Sequence, residues 1–250
     1  PFKIKQDCWF DESVHRQSLP PLYNRYLRLP AASPASRPAE ISQALLGPLY
    51  MTGYLLYDFL KENAYFGAEQ VLVLSASSKT SIGLAYSLSR NDTPSVIGLT
   101  SPGNVPFVNE LGYYDEARAY DEVAELATKP TVIVDMSGNG ELIGRLKSHL
   151  GEELKYFVRV GLTHWDQQSS NPTDSGDSET FFFAPSYMLE RAEGEPGFPS
   201  KVQAHVSEGA QASTEWLEIK HLDGLQGLAE VYGDVCAGQV SPRLDLICDM

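Results

Sequence analysis

The run Val71-Leu72-Val73-Leu74, followed at once by Ser75-Ala76-Ser77-Ser78-Lys79-Thr80-Ser81-Ile82-Gly83-Leu84-Ala85, constrains this chain more than any other stretch. Four consecutive apolar residues fit a short strand buried on both faces. The small residues fit a tight turn, and 80–90 carries helical periodicity. A strand–turn–helix unit leaves the first helix amides unpaired and converging on one spot, where a phosphate can sit. Ser75, Ala76, Ser77 and Ser78 are small enough to admit a ligand backbone, and the serine hydroxyls, Lys79 and Thr80 add donors there. The dinucleotide fingerprint spaces three glycines across such a turn. Here serines occupy the earlier positions and only Gly83 is a glycine, so the stretch alone fits a ligand-free turn equally well.

The following residues favour the liganded reading. A second apolar run, 95–100, begins about 24 residues after the first, an interval that suits a right-handed strand–helix–strand crossover with parallel strands. Further strands are expected at 131–136, 156–162 and 181–183. Helices are expected at 105–111, at 121–127 with an Asp121 N-cap, and at 139–150. Such alternation predicts an α/β fold, a Rossmann-like doubly wound parallel sheet. Ahead of it, 38–63 has apolar residues at three- and four-residue steps, which predicts a helix or helix pair broken at Gly47-Pro48. A polar surface loop is expected at 167–179. Beyond it come a helix from 187 with a Gly/Pro break at 194–199, helices at 203–217 and 225–236, and a short strand at 244–248. Residues 1–38, with prolines at 20, 21, 30, 34 and 38, are expected to supply a strand or two at 2–10 and otherwise an extended arm or the remnant of an N-terminal domain, and 39–250 the dinucleotide-binding domain.

A net charge of −14 argues against nucleic acid and anionic membrane surfaces as partners. The three cysteines, Cys8, Cys236 and Cys248, are far apart, with neither zinc-site spacing nor the count of a disulfide framework, so a reducing cytoplasm is expected. No apolar run approaches the roughly 18 residues of a membrane helix. No signal peptide opens the chain, and its start at Pro1 rather than Met predicts a processed or truncated remainder of something longer.

The strand ends narrow the ligand. An NAD site places an Asp or Glu at the end of the second strand, against the ribose hydroxyls. Here that end reads Leu99-Thr100-Ser101-Pro102-Gly103-Asn104, and the nearest acids, Asp92 and Glu110, lie outside it. Hydroxyls plus Lys79 favour NADP(H), with Ser77, Ser78, Lys79 and Thr80 on phosphates and Thr100 and Ser101 facing the adenosine ribose. Ser137, Gly138, Thr163 and His164 end later strands and would lie near the nicotinamide. Asp135 is read first as a helix cap. His164 stands at a strand's carboxyl end, whereas His15, His149, His205 and His221 read as surface or packing residues.

Residues 71–85 with Leu99-Thr100-Ser101, Leu111-Gly112-Tyr113-Tyr114-Asp115, Val134-Asp135-Met136-Ser137-Gly138 and Val160-Gly161-Leu162-Thr163-His164-Trp165 resemble the cofactor half of medium-chain dehydrogenases/reductases. More closely, they resemble the family known as domain of unknown function 2855, distantly related to those enzymes. The resemblance covers about 40–250 and includes a closing segment, 232–248, similar to the chain's return to the first domain in those enzymes. It implies that Thr52 and Tyr54 line the substrate pocket; on the reading adopted here Trp165 joins that pocket and His164 or Tyr54 donates a proton. It also implies an N-terminal barrel-like domain, of which only residues 1–39 would remain.

The reading reached from the sequence is an NADP(H)-dependent oxidoreductase of the zinc-free reductase type, acting on a small carbonyl or enone, with no metal. A non-redox cyclase or isomerase on a hydrophobic small molecule is the alternative, and a non-catalytic subunit docking through the Pro-rich arm is a third. A small-molecule substrate is the expected partner, and a homodimer is compatible with the sequence.

Overall fold

The computed structural model describes residues 2–4, 8–19, 21–27, 37–160 and 178–249. The chain divides into two compact units, Pro1–Ser42 and Gln43–Met250. In the first, β1 (Phe2–Ile4), β2 (Cys8–Asp11) and β3 (Arg25–Leu27) form an antiparallel sheet in that order. Strands form within 2–10 as expected, and Arg25–Leu27, expected as arm, pairs with the second of them. Trp9 lies opposite Ile4 on one side and Tyr26 on the other, and Phe2 touches both aromatic rings. Such cross-strand aromatic pairs are what stabilise so short a ladder.

Helix α1 (Arg37–Glu62) runs unbroken through Gly47 and Pro48, where the sequence predicts a break. Proline inside a helix costs about 3 kcal/mol. Burying Leu46, Tyr50, Leu55, Leu56 and Leu60 completely on this helix outweighs that, at about 1.5–3 kcal/mol for each large side chain.

Six parallel strands follow: β4 (Gln70–Leu74), β5 (Ser95–Thr100), β6 (Glu116–Ala119), β7 (Thr131–Asp135), β8 (Leu154–Val160) and β9 (Glu179–Phe182). Their order is β6-β5-β4-β7-β8-β9, the doubly wound Rossmann arrangement, with its switch point between β4 and β7. Alternation along the strands sorts the core into two layers. Leu72, Leu74, Ile97, Leu99 and Ile133 meet Leu142, Leu146 and Leu150 of α4 (Gly140–Leu150). On the other face, Val71, Val73, Val132 and Val134 join a more aromatic layer with α1, α2 (Lys79–Ser89) and α6 (Phe198–Ala212). Helix α3 (Val105–Glu110) lies after β5, and α5 (Ala184–Gly194) after β9.

Three helices converge on Tyr50. A Cβ on Gly53 would overlap the backbone of Gly83 and Leu84 in α2. One on Gly83 would press on Tyr50, and one on Gly209 of α6 would overlap the Tyr50 ring. The Tyr50 hydroxyl is hydrogen-bonded to Ser213 at 2.7 Å.

The remaining departures are local. Residues 120–125 form a 3-10 turn, and the Glu122 carboxylate, not Asp121, accepts the preceding Ala119 amide. Helix α6 starts inside the expected Gly/Pro break, because Pro199 sits in its first turn, where no N–H is needed. Strand β10 (Glu218–Asp223) replaces the expected helix end. It pairs in parallel with β11 (Leu244–Asp249), and α7 (Gly224–Cys236) connects the two.

Candidate functional site

The carboxyl ends of β4, β5, β6 and β7 surround the turn between β4 and α2. Ser75 takes a left-handed conformation, φ +56°, unusual for a residue with a side chain. The Tyr120 phenol, just past β6, lies near Ser75, and burial raises its pKa. Ser78 is the N-cap of α2: its oxygen accepts the Ser81 amide at 3.3 Å, and its proton goes to the Ser81 hydroxyl. Ser81 is fully buried and donates to the Leu74 carbonyl at 3.1 Å. Ser78 and Ser81 hold the register of the second and third fingerprint glycines, and the third normally lets helix and strand approach closely. Ser81 achieves that approach by bonding to the strand carbonyl, a substitution the sequence reading missed.

Ser77 sits at the centre. Its oxygen accepts from Thr100 Oγ1 and from Asn104 Nδ2, both at 3.1 Å, which leaves its own proton for an outside acceptor. Beside it, Lys79 and Thr80 supply first-turn amides that have no intrahelical acceptor. Thr100 does not face a ribose: it is 1% exposed and its hydroxyl is spent on Ser77. Ser101, the next residue, is exposed and bonded to Asn104. Lys79 forms an ion pair with Asp245 of β11 at 2.6 Å, so the closing segment reaches the turn itself. Arg243 pairs with Glu110 and stacks over Phe107, anchoring the same segment on α3.

After β7, the buried Asp135 carboxylate accepts from the Ser137 amide, the Ser137 hydroxyl and the Gly138 amide. It organises the turn, and Asn139 caps α4 by accepting the Leu142 amide. The Ser137 hydroxyl and the Gly138 amide are therefore committed internally. The first turn of α2 abuts this segment, with Ser81 Oγ 3.1 Å from Met136 Sδ.

Tyr54 is elsewhere. Its ring packs on His205 with centroids 4.5 Å apart, and His205 is bonded to Ser87. Ser87 lies eight positions into α2, about 12 Å from its first turn at 1.5 Å per residue. That height sets the His205–Ser87 contact, against which Tyr54 packs, apart from the first turn of α2. Thr52 donates to the Pro48 carbonyl within its own helix. Thr163, His164 and Trp165 lie outside the described residues. Among the described residues, no group of three or more His, Cys, Asp or Glu is placed to hold a metal, and no helix is long and apolar enough to cross a membrane.

The family described as "Protein of unknown function (DUF2855)" matches residues 1–241. The chain belongs to that family. No curated protein matches this DUF2855 member in sequence. Among solved structures, it is similar to CurA in complex with NADPH from Vibrio vulnificus, with a TM-score of 0.59 and 12% identity, over 99% of this chain and 75% of that one. It is also similar to the CurK enoyl reductase, with a TM-score of 0.52 and 15% identity, over 92% of this chain and 67% of that one. At such identities the likeness carries the fold alone.

Proposed function

We propose that this DUF2855 chain binds NADP(H) at the turn after β4 and acts as an oxidoreductase of the zinc-free medium-chain type on a small carbonyl or enone. The observation that carries the reading is the hydrogen-bond arrangement at Ser77: a hydroxyl with both acceptor positions filled, its proton outward, beside unpaired helix amides. The fold supports it, as does the NADPH in the CurA structure. When bound, the cofactor supplies the hydride chemistry.

The chain's own contribution is binding and orientation. Ser77 and the amides of Lys79 and Thr80 donate to phosphate oxygens, helped by the positive end of α2. The end of β5 carries hydroxyls, and the Glu110 carboxylate is occupied by Arg243, which favours a 2′-phosphate there.

The ion pair between Lys79 and Asp245 favours a second reading, in which the closing segment has taken over the lysine and the scaffold performs non-redox cyclisation or isomerisation. Titration with NADPH and NADH, followed by calorimetry, separates the two. Micromolar NADPH binding with weaker NADH binding is expected. Equal or tighter NADH binding overturns the NADP preference, and binding of neither gives the non-redox reading first place.

A further inference from the structure

Tyr54 and His205 belong to a cavity of about 330 Å³ between α1 and α6, on the helical layer well below the carboxyl edge. The α1 side contributes Tyr54, Tyr57 and Lys61 together with Asp58, and the α6 side Lys201 and His205 together with Glu208. These follow the spacings of three, four and seven residues that place side chains on one helix face. The hydrogen bonds fix what the floor offers. Ser87 Oγ has one proton, which it donates to the Gly83 carbonyl at 2.8 Å, so the 2.9 Å contact to His205 Nε2 has the imidazole as donor. The His205 Nδ1 is then the acceptor. Burial lowers this imidazole's pKa to about 4, which keeps Nδ1 unprotonated at neutral pH. Asn91, also in the lining, donates one amide N–H to the Ser87 carbonyl at 2.8 Å, and its side-chain oxygen is a second acceptor.

The mouth has the opposite character. Asp58 is taken by Arg191 and Tyr187, and Glu208 lies 4.0 Å from Arg90. Lys61 and Lys201 have no acidic partner among the ion pairs of the described residues; the Lys61 ammonium lies 5.8 Å from the Tyr57 ring centre. Two ammoniums without an ion-pair partner among the described residues thus flank the cavity, with Asp58 and Glu208 in the same lining and the edges of Tyr54 and Tyr57 beside them.

We infer that this cavity binds a small aromatic monocarboxylate carrying a hydrogen-bond donor opposite its acid group. The acid meets Lys61 and Lys201, the ring lies along Tyr54 and Tyr57, and the donor reaches His205 Nδ1. The volume admits one substituted ring and is at the small end for ligand pockets, too small for a dinucleotide. The paired carboxylates of Asp58 and Glu208 beside the lysines favour a monoanion over a polyphosphate.

The probe is 4-hydroxybenzoate, titrated by calorimetry into the whole chain. Saturable binding is expected. Benzoate, which lacks the donor, should bind about fivefold more weakly, and the surface variant Lys61→Met/Lys201→Met should lose roughly tenfold in affinity. Lys79→Ala should bind the probe as wild type does. No saturation at millimolar probe overturns the inference. So does wild-type affinity in the double variant, and so does loss of binding in Lys79→Ala, which would move the probe to the turn after β4.

Discussion

The turns after β4 and β7 have the same plan, a buried strand, three or four small residues and a capped helix, yet they end in opposite chemical states. After β4 the cap is a neutral serine whose hydroxyl donates through Ser81 to the Leu74 carbonyl, while Ser77 accepts from Thr100 and Asn104 and keeps its own proton unused. After β7 the organiser is a buried carboxylate that collects every donor within reach, and Asn139 takes the next amide. One turn remains open to an anion, while the other already contains one. The strand-and-helix scaffold supplies an anion site at both turns, and the residue at the strand's end decides whether a ligand can use it.

Removing the internal anion has the largest expected effect. Asp135→Ala leaves three donors without their acceptor and should cost about 3 kcal/mol in urea unfolding. Asp135→Asn keeps an acceptor and should cost about a third of that. A loss below about 1 kcal/mol for the alanine variant would mean that the two turns differ little in how they are held. At the β4 turn, Ser78→Ala removes a cap and should cost about 1 kcal/mol. Ser77→Ala should weaken NADPH binding about fivefold, read by the same calorimetry, since one neutral hydrogen bond is lost. The smallest effects test backbone shape. Ser75→Gly relieves a left-handed side-chain residue and should stabilise by under about 1 kcal/mol. Gly138→Ala introduces one at φ +63° and should cost about as much.

These comparisons should be made above pH 6.5. The pKa of His205 falls from the ordinary 6.5 to about 4 on folding, so the unfolded chain binds more protons between those values. Stability should therefore decline as pH falls from about 6.5 to 4, and His205→Gln should flatten that part of the profile.

The sheet could be read in the sequence where strands are apolar throughout, as at 71–74 and 131–135. It could not be read at β6, whose Glu116-Ala117-Arg118-Ala119 has neither length nor a continuous apolar run, nor at β10, which is exposed at all but Leu222. Pro48 misled because local chain stiffness was outweighed by buried side chains that only tertiary packing supplies. In the candidate site, the small polar turn was legible, but the division of labour within it was not. Thr100 and Ser101 look interchangeable in sequence, and only the strand's register buries one and exposes the other. The pairing of Lys79 with Asp245 joins distant stretches and leaves no local pattern, as does the height on α2 that sets the His205–Ser87 contact apart from its first turn.

The glycine slot around Tyr50 has a consequence for how such sequences can drift. Positions 50, 83 and 209 share one volume, so a methyl gained at either glycine must be matched by a smaller ring position, and Ser213 then loses its hydroxyl partner. Homologous chains should change these four positions together or not at all, and a sequence in which one has changed alone should be short-lived in the lineage.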